Sequence, residues 1–224
     1  MRVRVATTIL GITAALLAVP ACSTDTAPPA RTEKPADAPR QAAPLSSATL
    51  ETRLLDESDL GAGYLSRPER PAQHDDVTVI GCPALSELGG DAATGGTLSF
   101  PRQAKADFTY GGSSSEISEE LYSAGATKLS HGIGRIFDAM TGCPTYQVVS
   151  GDTSIDVASQ KLPAPRGLGD EQWSQLLTFS TAGRSTVVKQ TAIRDGSLLL
   201  IVSGSPALVD RHLDKALTKA TATS

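Results

Sequence analysis

Long apolar runs, aromatic residues, cysteine and histidine are all scarce in this 224-residue chain. Its main apolar stretch, Val5 to Val19 (VATTILGITAALLAV), has 15 residues. A helix needs about 20 to cross the hydrocarbon core of a bilayer, so this stretch does not read as a span. Clusters of Lys and Arg are missing too, and acids outnumber bases 24 to 20. Binding to a phosphate backbone depends on Lys/Arg neutralisation, so nucleic acid is excluded as a partner. The same shortage argues against adhesion to anionic lipid headgroups through the protein's own surface.

Catalytic patterns are equally absent. The chain has no G-x-S-x-G elbow, no S-x-x-K pair and no Walker or dinucleotide glycine loop. Gly111-Gly112-Ser113-Ser114-Ser115 reads as a flexible turn, because no helix follows to receive a phosphate. His131 and His212 fall on the polar faces of two amphipathic helices, and His74 sits in a polar loop. All three are expected to be solvated. Asp75-Asp76 beside His74 lacks the D-x-D-x-D-G spacing of a calcium loop. The expectation is therefore no catalytic residue, no metal and no cofactor, with the ligand contacts unknown.

What is present begins at the amino end. Arg2 and Arg4 precede the 15-residue run, which has the length of a signal-peptide core, and the small residue Ala21 follows at a plausible cleavage position. The next residue is Cys22, and Val19-Pro20-Ala21-Cys22 resembles a bacterial lipobox, in which the thiol is acylated and cleavage leaves that cysteine first. Residues 1–21 are thus expected to be a signal peptide, with Cys22 the lipidation site and the cell membrane reached from its extracytoplasmic side. An ordinary signal peptide cut before a cysteine is the alternative. Loss of Arg2 and Arg4 would lower the bases to 18 against 24 acids, leaving about −6.

Residues 22–44 read as a tether. Ser23 to Pro44 holds five prolines, six alanines and no aromatic residue. Such a segment buries too little apolar surface to offset its ordering entropy. The globular part, 45–224, is close to the size at which one domain builds a proper core.

With Cys22 acylated, Cys82 and Cys143 are an even pair in an oxidising compartment. They stand alone, 61 positions apart, without the spacing of a metal site, and a structural disulfide is expected. In the chain-entropy account, closing that loop contributes at most about 4 kcal/mol.

Periodicity then sets the elements. Leu45 to Leu55 predicts a short helix capped by Ser46 or Ser47, and Asp59 to Tyr64 a turn leading outward. Val77–Ile80, Thr97–Phe100 and Ala104–Tyr110 predict strands, with a short helix beginning near Cys82-Pro83. Glu116–Tyr122 predicts a further strand, one that its acids make either exposed or an edge strand. Leu129, Ile133, Ile136, Phe137 and Met140 recur at helical period and predict a helix over about 124–141, with Ser123 as cap. A second helix is predicted from Pro206, with Ser205 as N-cap and a stripe of Val209, Leu213, Ala216, Leu217 and Ala220. Between the two lie strands at 146–149, 154–160, 172–180, 186–194 and 197–203. Asp195-Gly196 marks a tight hairpin between the last two, apolar on both flanks and so central. Short turns between consecutive strands, with helices before and after, predict an α+β fold: one domain, a mainly antiparallel sheet flanked by helices. Trp173, the only tryptophan, is expected to close the core where the Leu168-Gly169-Asp170 turn enters its strand, rather than to line a cleft.

The order of these pieces carries a resemblance. The Leu54-Leu55 helix comes first, then Asp59-Leu60, a cysteine before the first strands, and a long helix running into the second cysteine. Gly169-Asp170-Glu171-Gln172-Trp173, an apolar hairpin and a terminal Leu-rich helix complete it. This order resembles the extracellular sensor domain of an actinobacterial receptor serine/threonine kinase, the mycobacterial H-type kinase, and its stand-alone lipoprotein relatives. The resemblance implies an antiparallel sheet with flanking helices and a cleft for an unidentified ligand. Domains of that group commonly have two disulfides, whereas this chain has cysteines for one. It has no kinase domain, so sensing would pass to a separate partner. The expected function is a non-catalytic ligand-binding or sensor-like envelope lipoprotein. A lipid carrier with acyl chains between sheet and helices, and an accessory protein binding an envelope enzyme, are the alternatives.

Overall fold

A run of five apolar residues, Leu198 to Val202, explains the architecture: both alternating sets need covering, so a layer must lie on each face of the strand. The computed structural model describes residues 43–68, 77–89, 100–112 and 115–222, all within one compact unit, Pro39–Ser224. Residues 1–42, with Cys22 and nearly all of the tether, lie outside the described residues, as do His74, Asp75 and Asp76.

The strands are β1 (Tyr64–Arg67), β2 (Val77–Ile80), β3 (Gln103–Tyr110), β4 (Ser115–Ser123), β5 (Thr145–Ser150), β6 (Thr153–Lys161), β7 (Glu171–Thr181), β8 (Arg184–Asp195) and β9 (Leu198–Gly204). They form one antiparallel sheet in the order β1-β3-β4-β9-β8-β7-β6-β5-β2, which puts the β8–β9 hairpin at its centre. The helices are α1 (Ser47–Glu51), α2 (Glu57–Leu60), α3 (Pro83–Ser86), α4 (Ala126–Gly142) and α5 (Pro206–Thr221). The fold is α+β, as expected from the sequence. None of the described helices is long and apolar enough to cross a membrane.

On one face, Val209, Leu213, Ala216 and Ala220 of α5 pack with Leu198, Leu200 and Val202, and Leu50 of α1 joins the same cluster. On the other, Leu129, Ile133 and Phe137 of α4 pack with Leu199, Ile201 and Ala192. Further along α4, Ala139 and Met140 meet Tyr146, Val148, Val157 and Leu177. The two layers are offset: α5, α1 and α2 lie over β1, β3, β4, β8 and β9, while α4 and α3 serve the β2 end and β6 to β9. Each end of the sheet is therefore left bare on one face.

Cys82 opens α3, Cys143 closes α4, and a disulfide joins them with Cα atoms 5.7 Å apart. Unreduced protein from its native envelope, unfolded in denaturant, should therefore show no thiol reactive to alkylation at either position. Labelling of both by mass spectrometry would contradict the bond.

Several local expectations differ. The acids of Glu116–Tyr122 predict an exposed or edge strand, but β4 is interior, between β3 and β9, and largely buried. Glu119 and Glu120 are buried on opposite faces, each with a hydrogen-bond donor waiting there. Of the turn expected over Asp59–Tyr64, Asp59 and Leu60 end helix α2 and Tyr64 opens the edge strand β1, which is paired along its whole length with β3 and was not anticipated. Helix α4 begins after Gly125, not at Ser123, whose hydroxyl donates to the Ser197 carbonyl and accepts the Leu45 amide. The hairpin is one residue later than expected: Asp195 pairs with Leu198, so Gly196-Ser197 turns, with Gly196 at φ +56°. Of Thr97–Phe100, only Phe100 is described; it is buried edge-on to Tyr122 rather than paired in the sheet.

Candidate functional site

Residues facing one another across an antiparallel pair point to the same side of a sheet. Following that rule from β1 gives Arg67, Asp107, Ser118, Ser203, Gln190 and Gln175, one per strand across β1, β3, β4, β9, β8 and β7. The row starts in the open and ends beneath α4, where Gln175 is wholly buried and donates to the Gln190 side-chain oxygen at 2.8 Å. One step along the strands, Lys105 faces Glu120.

Because α4 stops short of β1, β3 and β4, the outer part of this row lines a cleft of about 280 Å3. Arg67, Lys105, Asp107 and Glu116 supply its charges, and Ser118, Ser203, Thr186 and Val188 the remainder of that face. Arg67 pairs with Glu116 across the rim. The Lys105 ammonium lies 3.5 Å from Glu120 and 3.9 Å from Asp107. Behind it the Tyr122 hydroxyl donates to Glu120 at 2.5 Å. Burial raises the Glu120 pKa, an effect opposed by Lys105 and by the Tyr122 hydroxyl. Two polar atoms in the row are buried without a hydrogen-bond partner among the described residues, the Ser118 hydroxyl and the Gln175 side-chain oxygen. Buried polar atoms are normally satisfied, so the Ser118 hydroxyl is unused hydrogen-bonding capacity in the wall of the cleft, whereas the Gln175 oxygen lies beneath α4.

Gly204 shapes one end of the cleft. It sits at φ +142°, and a Cβ there would lie 2.1 Å from the Glu116 carbonyl oxygen, so only glycine lets β9 leave β4 at this point. A second, shallower hollow of about 420 Å3 lies at the other bare end, along Ile80, Gln147, Asp156 and Ser180. Its floor is largely uncharged, and Gln147 donates to Asp156 at 2.8 Å.

The expected histidine placements divide. His131 is exposed on α4, as its helical position requires. His212 is not solvated: it is buried against Tyr64, with Nε2 2.6 Å from the Tyr64 hydroxyl and the rings edge to face at 5.1 Å. Burial lowers its pKa, and the charges of Arg211 and Lys215 lower it further. α5 is covered on a wider arc than its aliphatic stripe, because Tyr64 on the edge strand reaches its flank. Trp173 is partly buried and packs on Phe137, centroid to centroid 6.4 Å, at the margin of the α4 layer. Among the described residues no three His, Cys, Asp or Glu side chains converge to hold a metal ion.

Sequence reasoning did not find the cleft. The signal was present as alternation, Lys105-x-Asp107 on one strand and Glu116-x-Ser118-x-Glu120 on the next, a polar set at period two beside a set that is apolar except for Glu119.

No family model matches the sequence, and no curated protein matches it. Among solved structures, the extracellular domain of PknH from Mycobacterium tuberculosis is similar over 80% of this chain and 97% of that one, at 13% identity and a TM-score of 0.59. A second similar structure is that of an uncharacterized protein from Mycobacterium smegmatis, at 11% identity and a TM-score of 0.40, covering 79% of this chain and 95% of that one. The first shows a shared fold, in line with the resemblance read from the order of elements.

Proposed function

We propose that this chain is a non-catalytic lipoprotein of the cell envelope, anchored through Cys22 on the extracytoplasmic side of the membrane, whose domain binds a small ligand in the charged cleft. The observation that carries the reading is the convergence of Arg67, Lys105, Asp107, Glu116 and the unpartnered Ser118 hydroxyl on a bare part of the sheet. A few convergent polar groups in a concavity fix the orientation of a small molecule, and such a concavity is the first place to look for its site. The fold shared with an extracellular domain supports the location, as do the short apolar run and Cys22. A polar ligand is favoured over acyl chains because the layers between sheet and helices are filled by side chains such as Leu199, Leu200 and Leu129. Signalling would pass to a separate membrane partner.

Native mass spectrometry of protein purified from its own cells tests the binding half. A retained small polar molecule is expected, whereas a retained lipid would favour the carrier and a retained protein the accessory role. Anchoring is tested separately. Cys22→Ser removes the acyl acceptor and should leave an uncleaved precursor or a soluble secreted form. Partition of the substituted, normally cleaved protein into detergent, as for the wild type, would dismiss the anchor.

A further inference from the structure

Beyond the existence of a site, the cleft's charges indicate what it takes. Its lining holds two cations, Arg67 and Lys105, and two carboxylates, Asp107 and Glu116. A phosphate or other bare anion entering this lining would face two carboxylates, and a bare amine two cations. A zwitterion meets a partner for each of its charges and leaves the sum unchanged. Spacing narrows the class. Lys105 and Asp107 point to one side of β3 with their charged atoms 3.9 Å apart, too far for a good hydrogen bond and close enough to be bridged by one small molecule. In an α-amino acid the ammonium and carboxylate sit on the same carbon, at a similar separation.

Resting on the reading that this cleft is a binding site, we infer that it takes a free α-amino acid. The ligand carboxylate lies between Lys105 and the Ser118 hydroxyl, its ammonium on Asp107, and its side chain towards Val188. Four further observations fit. The volume of about 280 Å3 is near the lower end for ligand pockets and matches one amino acid better than a longer chain. Ser118 lines the cleft and its hydroxyl, tucked just beneath the surface, has no partner among the described residues, so a turn of this short side chain about χ1 can present it to a ligand oxygen. Glu120, held by Tyr122, stands behind Lys105 and keeps its ammonium turned inward. The Arg67–Glu116 pair spans the rim with Glu116 half exposed, so it can part to admit the ligand.

The test is isothermal titration of the full chain in detergent with leucine, N-acetylleucine, leucinamide, inorganic phosphate and putrescine. Leucine should bind, and capping either end should weaken it by about tenfold or more, since each cap removes one buried ionic contact. Lys105→Met should weaken leucine but not leucinamide, and Asp107→Asn should weaken leucine but not N-acetylleucine. Ser118→Ala should reduce leucine affinity without lowering the melting temperature. Failure of leucine to bind, equal binding of the capped forms, or Ser118→Ala without effect on affinity overturns the amino-acid assignment. Binding of phosphate or putrescine alone overturns it while the site itself stands. If none of the probes binds and the native protein retains no molecule, both readings fall.

Discussion

Leu200→Asp and Ile201→Asp should each unfold the domain, although the two side chains point to opposite faces of β9. Leu200 is 1% exposed and packs with Val209 and Leu213 of α5. Ile201 is 4% exposed and packs with Leu129, Ile133 and Phe137 of α4. An aspartate at either place is a charge with no partner inside an apolar layer, a penalty of several kcal/mol on top of the lost packing. Domains of this size have about 5–15 kcal/mol in hand, so either change removes most or all of it. The milder Leu200→Ala and Ile201→Ala should each cost about 2–5 kcal/mol in urea unfolding, enough to rank the two layers. Circular dichroism melts provide the check. A melting temperature within a degree or two of wild type for Ile201→Asp would mean that α4 does not cover its face, and the same result for Leu200→Asp would dismiss α5.

That pair was legible in advance because the information is local. Five consecutive apolar residues announce a strand covered on both faces, and the stripes of α4 and α5 announce what covers it. A hairpin at a glycine is a local reading too, and the disulfide, though it spans 61 positions, was legible because counting cysteines left a single pair to join. What was not legible depends on partners distant in sequence. The acids of β4 read as marks of an exposed or edge strand because nothing nearby could satisfy them; the donor to Glu119 is the Leu55 amide, 64 positions away. His212 read as solvated because its neighbour on the fold, Tyr64, lies 148 positions before it. The cleft required knowing that β1, β3, β4 and β9 lie side by side, an order in which the chain returns to β4 only after four intervening strands. Alternation told which residues share a face, not which faces meet.

The buried acids of β4 have a consequence for stability. Glu119 is 1% exposed; one carboxylate oxygen accepts the Leu55 amide at 2.6 Å and the other has no partner among the described residues. Burial pushes its pKa from 4.5 up to about 7, with the Leu55 amide and Lys219 pulling down and Asp59 pushing up. The folded state therefore holds a proton here that the unfolded chain has released between pH 4.5 and 7. Stability from this group is highest below pH 4.5, falls as pH rises and levels off above 7, a loss of about 3 kcal/mol at about 1.4 kcal/mol per pH unit. Glu120, its pKa likewise raised by burial, acts in the same direction. His212 opposes them, because its lowered pKa leaves it neutral in the fold while the unfolded chain gains a proton below about 6.5. Comparing Glu119→Gln with wild type cancels the other groups. Glutamine keeps an acceptor for Leu55 and cannot ionise, so at pH 8 the variant should be more stable by about 2 kcal/mol, allowing for one amide hydrogen left poorly placed. At pH 4, where Glu119 is itself neutral, that advantage should vanish or reverse. Urea titrations at the two pH values measure the gap directly, and a gap that stays constant from pH 4 to 8 would mean that Glu119 does not change its protonation there.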